Sequence, residues 1–351
     1  MKLAFLMVSV SLFASFSQAK DRFLVQFKSE QGFKAMESYF SQESTSSAMQ
    51  KSLSHVQAIV LKTKNLSLIN RLKNHPEVEF VEAETFKPAP KPINGFKIAR
   101  VNMFEAARRK SKKKINDNEV VNLDAPELKI GEATPWGIIA VNAGEAWALS
   151  GAGVNARVMV LDTGIDAEHP SIAANFEKGK NFTEDANGDV DEAAYHDEEG
   201  HGTHCAGTVL GVYNQQNGFT GVAPKSKLLM GRVCGAEGCS SIAVVEGINW
   251  AIQEKVYVIS MSLGGPIGSS TEQKAVAKAD KAGIVVVAAS GNGAAVPNYS
   301  PDRNEAKCAG TNPMEPNACC VSFPAAFPTV TAVGALNSAL EKTDFSQWGP
   351  E

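Results

Sequence analysis

The 351-residue sequence carries little net charge, six cysteines and, after residue 19, no long apolar run. Each shortage narrows what the protein does. With 34 basic against 38 acidic residues, its formal charge of −4 argues against a surface built to neutralise phosphates, so nucleic acid is not the expected partner. Without a later segment long and apolar enough to cross a bilayer, no membrane association is expected once an amino-terminal leader is removed. The spacing of Cys308 from the adjacent Cys319 and Cys320 is not that of a zinc site.

What is present begins with that leader. Lys2 precedes a mostly apolar run, Leu3 to Phe16, too short to span a membrane comfortably. Ser17-Gln18-Ala19 then puts small residues at the −3 and −1 positions of a cleavage site. Residues 1–19 read as a secretory signal peptide, with an uncleaved anchor as the alternative. Export, whether secretion or delivery to the periplasm, permits disulfides. Cys234 and Cys239 bracket a short glycine-containing loop, and Cys308 lies near Cys319 and Cys320 across another. Local bridges Cys234–Cys239 and Cys308–Cys319 or Cys308–Cys320 are the economical reading. Cys205, among small helical residues, is expected as a buried free thiol.

Residues 20–84 form a first unit. RFLVQFK (22–28) alternates as a strand does, and Phe33, Met36 and Phe40 recur at helical spacing. A strand from His55 to Lys62, a short helix stopped by Pro76 and a strand from Val78 to Glu84 follow. The order predicts a small α+β, ferredoxin-like unit, helices on an antiparallel sheet. Residues 85–131 read as a linker. Lys87 to Pro92 is proline-rich and stiff, and the basic run Arg108 to Lys114 is either solvated or an exposed processing site.

Residues 132–351 are α/β. Arg157 to Leu161 reads as a buried parallel strand running straight into Asp162-Thr-Gly-Ile-Asp166. Strands KLLMGRV, VYVISMS, GIVVVAAS and TVTAVGA follow, with a helix carrying Ile242, Val245, Ile248 and Ile252 and a second helix at 271–282 between them. Alternation of this kind predicts a parallel sheet with helices on both faces.

The most distinctive stretch is GHGTHCAGT, Gly200 to Thr208. His201 between two glycines at the start of a helix suits a general base; with His204 three residues on, it also suits a metal ligand. Three strand ends supply partners: Asp162, the run Ser262-Leu263-Gly264-Gly265, and Ser290-Gly291-Asn292-Gly293. Together they offer an acid to orient an imidazole, a base, and an amide donor for a developing oxyanion.

In this order, VMVLDTGID, GHGTHCAGT, SMSLGG and AASGN resemble the motifs of the subtilisin-like serine proteases (subtilases, peptidase S8), over roughly residues 134–351. HGTHCAGT is similar to the proteinase K branch, GINWAI and FSQWGPE to the subtilisin branch. Residues 22–84 resemble the inhibitor I9 propeptide of such enzymes. The resemblance implies a secreted serine endopeptidase zymogen. Asp162 would hold the imidazole, His201 act as base and then acid, and Asn292 donate to the oxyanion, a donor worth on the order of 10²–10³ in rate. Ser262, Leu263, Gly264 and Gly265 would pair with an extended substrate as an added strand, with Gly238 on its other side and Gly291 also lining the site. His204 and Cys205 become packing residues. The expected partners are peptide or protein substrates and the chain's own propeptide, on a monomer with no catalytic cofactor.

The family's nucleophile sits in a G-T-S-x-A motif, which does not occur in these 351 residues; Ser260, Ser262, Ser290 and Ser346 belong to motifs with other jobs. The chain as it stands is expected not to cleave peptides, either as a piece of a longer enzyme or as a pseudoprotease that binds them. The family's calcium-ligating Asp after His169-Pro170 is Ser171 here. Asp185, Asn187, Asp189 and Asp191 alternate in a separate loop, as oxygen ligands of a structural Ca²⁺ would; the other reading is a solvated acidic loop.

Overall fold

A computed structural model describes residues 18–41, 49–90, 128, 130–131, 133–185, 188–215, 218–292 and 321–347. Most of the expected leader, the basic run, Asn187, Cys308, Cys319 and Cys320 lie outside them. Among the described residues no helix is long and apolar enough to cross a membrane.

The amino-terminal unit runs β1 (Gln18–Phe27), α1 (Glu30–Phe40), β2 (Met49–Leu53), β3 (Ala58–Lys62), α2 (Leu66–Lys73) and β4 (Val78–Lys87). The strands pair antiparallel in the order β2-β3-β1-β4, the split β-α-β arrangement. Both helices start where a side chain satisfies a free amide. Ser29 accepts from Gly32 N at 3.0 Å and Asn65 from Leu68 N at 3.1 Å. Their apolar faces close a core of Val25, Phe27, Phe33, Phe40, Ile59, Leu61, Leu72 and Val78.

Two boundaries differ from the sequence-based expectation. The segment read as one strand from His55 is a 3₁₀ turn (Ser54–Val56), then Gln57 at φ 56°, then β3. The mostly polar MQKSL before it is the edge strand β2, held by backbone pairing and so carrying little apolar signature. The linker does not begin at residue 85 either. β4 continues to Lys87 because Phe86 and Lys87 pair with Ser240 and Cys239 of the larger unit, a long-range contact that no local pattern announces.

That larger unit starts with helices α3 (Trp136–Ala140) and α4 (Ala143–Ser150). Strands β5 (Arg157–Asp162) and β6 (Phe176–Asn181), helix α5 (His201–Leu210) and strand β7 (Lys227–Arg232) follow. A short hairpin, β8 (Cys234–Gly235) and β9 (Gly238–Ser240), leads into α6 (Ser241–Gln253), β10 (Val258–Met261), α7 (Ser270–Lys281), β11 (Val285–Ala289) and β12 (Thr331–Val333). Six strands form one parallel sheet, β12-β11-β10-β5-β7-β6. Side-chain alternation splits the core. Met159, Leu161 and Leu229 pack with the residues of α6 and α7, whereas Val160, Leu228 and Met230 pack with Ala206 and Leu210 of α5. Helices therefore cover both faces, as expected. β6, the polar edge strand FEKGKN, is legible only in the structure. β5 lies between β7 and β10, where the strand order reverses, and open parallel sheets hold their sites outside the carboxyl ends at such a point.

Carboxylates of β4 join the two units at helix starts. Glu82 accepts from Ser269 Oγ (2.7 Å), Ser270 N (2.9 Å), Thr271 N (3.1 Å) and Thr271 Oγ1 (2.8 Å) at the head of α7. Glu84 accepts from Ser240 Oγ at 2.6 Å, at the head of α6. Negative charge at a helix amino terminus is favourable in both places.

His55 belongs to the same contact. Lys278 Nζ donates to its carbonyl at 2.8 Å, and its Nε2 is buried without a hydrogen-bond partner among the described residues. Burial first, and the charge of Lys278 second, pull its pKa from 6.5 to about 4. Between those values the unfolded chain binds a proton that the folded protein does not, so stability present above pH 6.5 is lost as pH falls through the window. Burial raises the carboxyls of Glu84, Glu246 and Glu272, whose contributions are instead lost as pH rises. Comparing melting temperatures of wild type and His55→Gln isolates the histidine. The variant is expected to lose less stability between pH 6.5 and 4; superimposable profiles would remove His55 as the cause.

Candidate active site

The apolar run of β5 ends at Asp162, which is fully buried. Its Oδ1 accepts from Thr163 N at 2.7 Å and lies 2.7 Å from His201 Nδ1. Its Oδ2 has no hydrogen-bond partner among the described residues. The close approach of α5 makes this pairing possible. A Cβ on Gly202 would meet the carbonyl oxygen of Gly164 at 2.2 Å, so only glycine lets the helix start sit against the loop after β5.

Asp197 fixes the same helix start. Its Oδ2 accepts from Thr203 N (2.8 Å) and Thr203 Oγ1 (2.6 Å), its Oδ1 from Gly200 N (2.9 Å) and Thr163 Oγ1 (2.8 Å). Thr163 Oγ1 in turn accepts from Gly202 N at 2.9 Å. Burial alone would raise the Asp197 carboxyl, but these donors hold it below its ordinary value. One network thus ties the Asp162 loop to the His201 helix. Sequence reasoning missed it, although an Asp just ahead of a helix start is a capping signal.

The His201 side chain is 17% exposed, so one ring edge faces Asp162 while part of the ring reaches solvent. Burial lowers its basicity, but the Asp162 carboxylate and then Cys205 outweigh that, and the ring holds a proton above its ordinary range. Cys205 is free but only partly buried, its Sγ 3.7 Å from Nδ1 and 3.9 Å from Nε2 of His201. The free thiol is as expected, its partial burial is not, and four residues along a helix puts it against the ring. Burial pushes this thiol up, and His201 and His204 pull it down further than that. Asp162, His201 and Cys205 are the one group of three such side chains among the described residues with ligand atoms within 4.8 Å of one another. His204 is exposed and is not in the group.

The glycine-rich strand ends flank a cleft. After β10, Leu263 turns into the core, and Gly265 exchanges backbone hydrogen bonds with Phe323 at 3.0 and 2.9 Å. Across from Ser262–Gly265 stands the β8–β9 hairpin, which the Cys234–Cys239 disulfide closes. Between the two edges runs the end of β4. A Cβ on Gly238 would meet Lys87 O at 2.2 Å, and one on Gly265 would meet the Lys87 side chain at 3.1 Å. Asn292, exposed, follows β11 and so lies along the same carboxyl edge of the sheet as Asp162. At Gly291, Gln347 N donates to the carbonyl at 2.9 Å, and a Cβ would meet the side chains of Gln347 and Ser322.

In the acidic loop, Asp185 Oδ1 accepts from Asp189 N at 2.9 Å and Asp191 Oδ1 from Ala193 N at 3.0 Å. These carboxylates turn to backbone amides of their own loop.

A buried carboxylate behind a partly exposed imidazole, beside a groove that already pairs with an extended segment, is equipment for proton transfer. Known proteins resemble the chain over this region. The model of the subtilase family (peptidase S8) matches residues 153–351. The major intracellular serine protease of Bacillus subtilis (strain 168) is 39% identical over 219 residues, 62% of this chain and 62% of that protein. A thermostable alkaline protease of Halalkalibacterium halodurans is 35% identical over 261 residues, 74% and 63% of the two chains. Subtilisin of Bacillus pumilus is 36% identical over 221 residues, 63% and 70%. The matched part of the chain spans less than two thirds of the length of the first two relatives. With the family match extending over more than half of its length, the chain belongs to the subtilase family.

Proposed function

We propose that the complete protein is an exported serine endopeptidase made as an inhibited precursor. The observation that carries this reading is the 2.7 Å contact between Asp162 and His201, set beside a cleft edge that pairs with extended chain. In the neutral ring, Asp162 holds the imidazole with Nδ1–H toward the carboxylate, which leaves Nε2 to take the proton of a serine hydroxyl. The hydroxyl then adds to the peptide carbonyl, the Asn292 amide donates to the developing oxyanion, and His201 returns the proton to the leaving amine. The serine itself is proposed to lie in a G-T-S-x-A segment outside residues 1–351, and these residues alone are proposed to be inactive.

The amino-terminal unit is the proposed inhibitor. Its β4 enters the cleft as a substrate strand would, and Glu82 and Glu84 anchor it on two helix starts. Residues 1–19 are the proposed export signal. Reaction of the complete, processed protein with a serine-directed fluorophosphonate tests the proposal. Labelling that disappears in His201→Ala is expected. A complete protein that never labels but still binds extended peptides would instead be a peptide-binding homologue.

A further inference from the structure

The end of β4 carries an ion pair that the proposed chemistry does not use. Lys87 is 2% exposed and Glu272 is 0% exposed. Lys87 Nζ donates to both Glu272 oxygens at 2.9 Å. Burying two charges is costly, and attraction repays it only when the contact is close and well saturated, as this two-point contact is. Glu272 stands in the first turn of α7, its own amide satisfied by Ser269 Oγ at 3.1 Å. Of the charges acting on it among the described residues, Lys87 is the cation and Glu82 the like charge. Once Lys87 leaves, Glu272 remains as a buried carboxylate without its counter-ion.

The pair sits where a substrate side chain would go. Lys87 lies opposite Cys239 in the pairing of β4 with β9, and its side chain passes beside Gly265 of the facing edge. A peptide that adds to this edge in the same register presents a side chain to the same place, since alternate residues of a strand share a face. We propose that Glu272 makes this a subsite selective for lysine, or for arginine where the longer side chain fits, and that Lys87 is the subsite's first occupant. The substrate class is then peptides with a basic residue at one fixed position on the amino-terminal side of the bond cut. This inference rests on the endopeptidase reading. The competing explanation is that the pair only fastens the amino-terminal unit.

The test is hydrolysis by the complete, processed enzyme of a peptide series in which Lys, Arg, Leu or Glu stands at each position before the scissile bond. At one position kcat/KM is expected to favour Lys over Leu by about tenfold or more, the scale of one charge-assisted contact, with Glu the poorest. Glu272→Leu is expected to reverse the order of Lys and Leu, and the near-isosteric Glu272→Gln to flatten it. Equal hydrolysis of Lys and Leu peptides at every position overturns the inference and leaves the endopeptidase reading standing. A Lys preference that survives in both variants also overturns it. No hydrolysis of any peptide in the series overturns both.

Discussion

Asp162→Asn in the complete enzyme is expected to lower kcat by about 10⁴-fold, the scale of losing the carboxylate behind a catalytic imidazole. The cause is the tautomer. An asparagine amide can donate to His201 Nδ1, which then accepts and leaves the proton on Nε2, the atom that must receive one. The backbone donor to this position, Thr163 N, and the Asp197 network around the start of α5 stay in place, so the fold and KM are expected to change little. Steady-state kinetics on one good peptide substrate check this. A loss smaller than about tenfold would show that Asp162 does not orient the base.

Lys87→Met is expected to destabilise the chain that retains its amino-terminal unit by roughly 3–5 kcal/mol, the cost of leaving one member of a buried ion pair uncompensated. Glu272 is fully buried, Glu82 adds like charge, and Lys87 is the one cation acting on it among the described residues. The double variant Lys87→Met, Glu272→Leu is expected to recover most of the loss, because a well-packed apolar pair of similar volume avoids both desolvation costs. Thermal or urea unfolding of the single and double variants measures the difference. A single variant no less stable than the double would mean that water reaches Glu272.

The core of the large unit was readable because the sheet is parallel and covered on both faces. Strands such as VMVL in β5 and LLM in β7 must then be apolar throughout, and a continuous apolar run survives in any single sequence. Edge strands carry no such mark. MQKSL and FEKGKN are held mainly by backbone hydrogen bonds along one side, and their partners lie in other parts of the chain.

The site divides in the same way. Asp162, His201 and the Cys234–Cys239 bridge were legible because each depends on residues close in sequence or on a motif with few other uses. The contact of Cys205 with His201 was within reach, since i,i+4 spacing on a helix implies it. The Asp197 network was half-legible, as a cap but not as a tie to Thr163. By sequence, Lys87 falls in the linker expected over 85–131 and Glu272 in the helix expected over 271–282. What the sequence determined by itself is the layered α/β core and the identity of the Asp162–His201 pair. Only the tertiary structure decided which charge is buried and what neutralises it. Lys87 and Glu272 are 185 residues apart, and burial of a charge depends on the groups that surround it in space, which local periodicity does not encode.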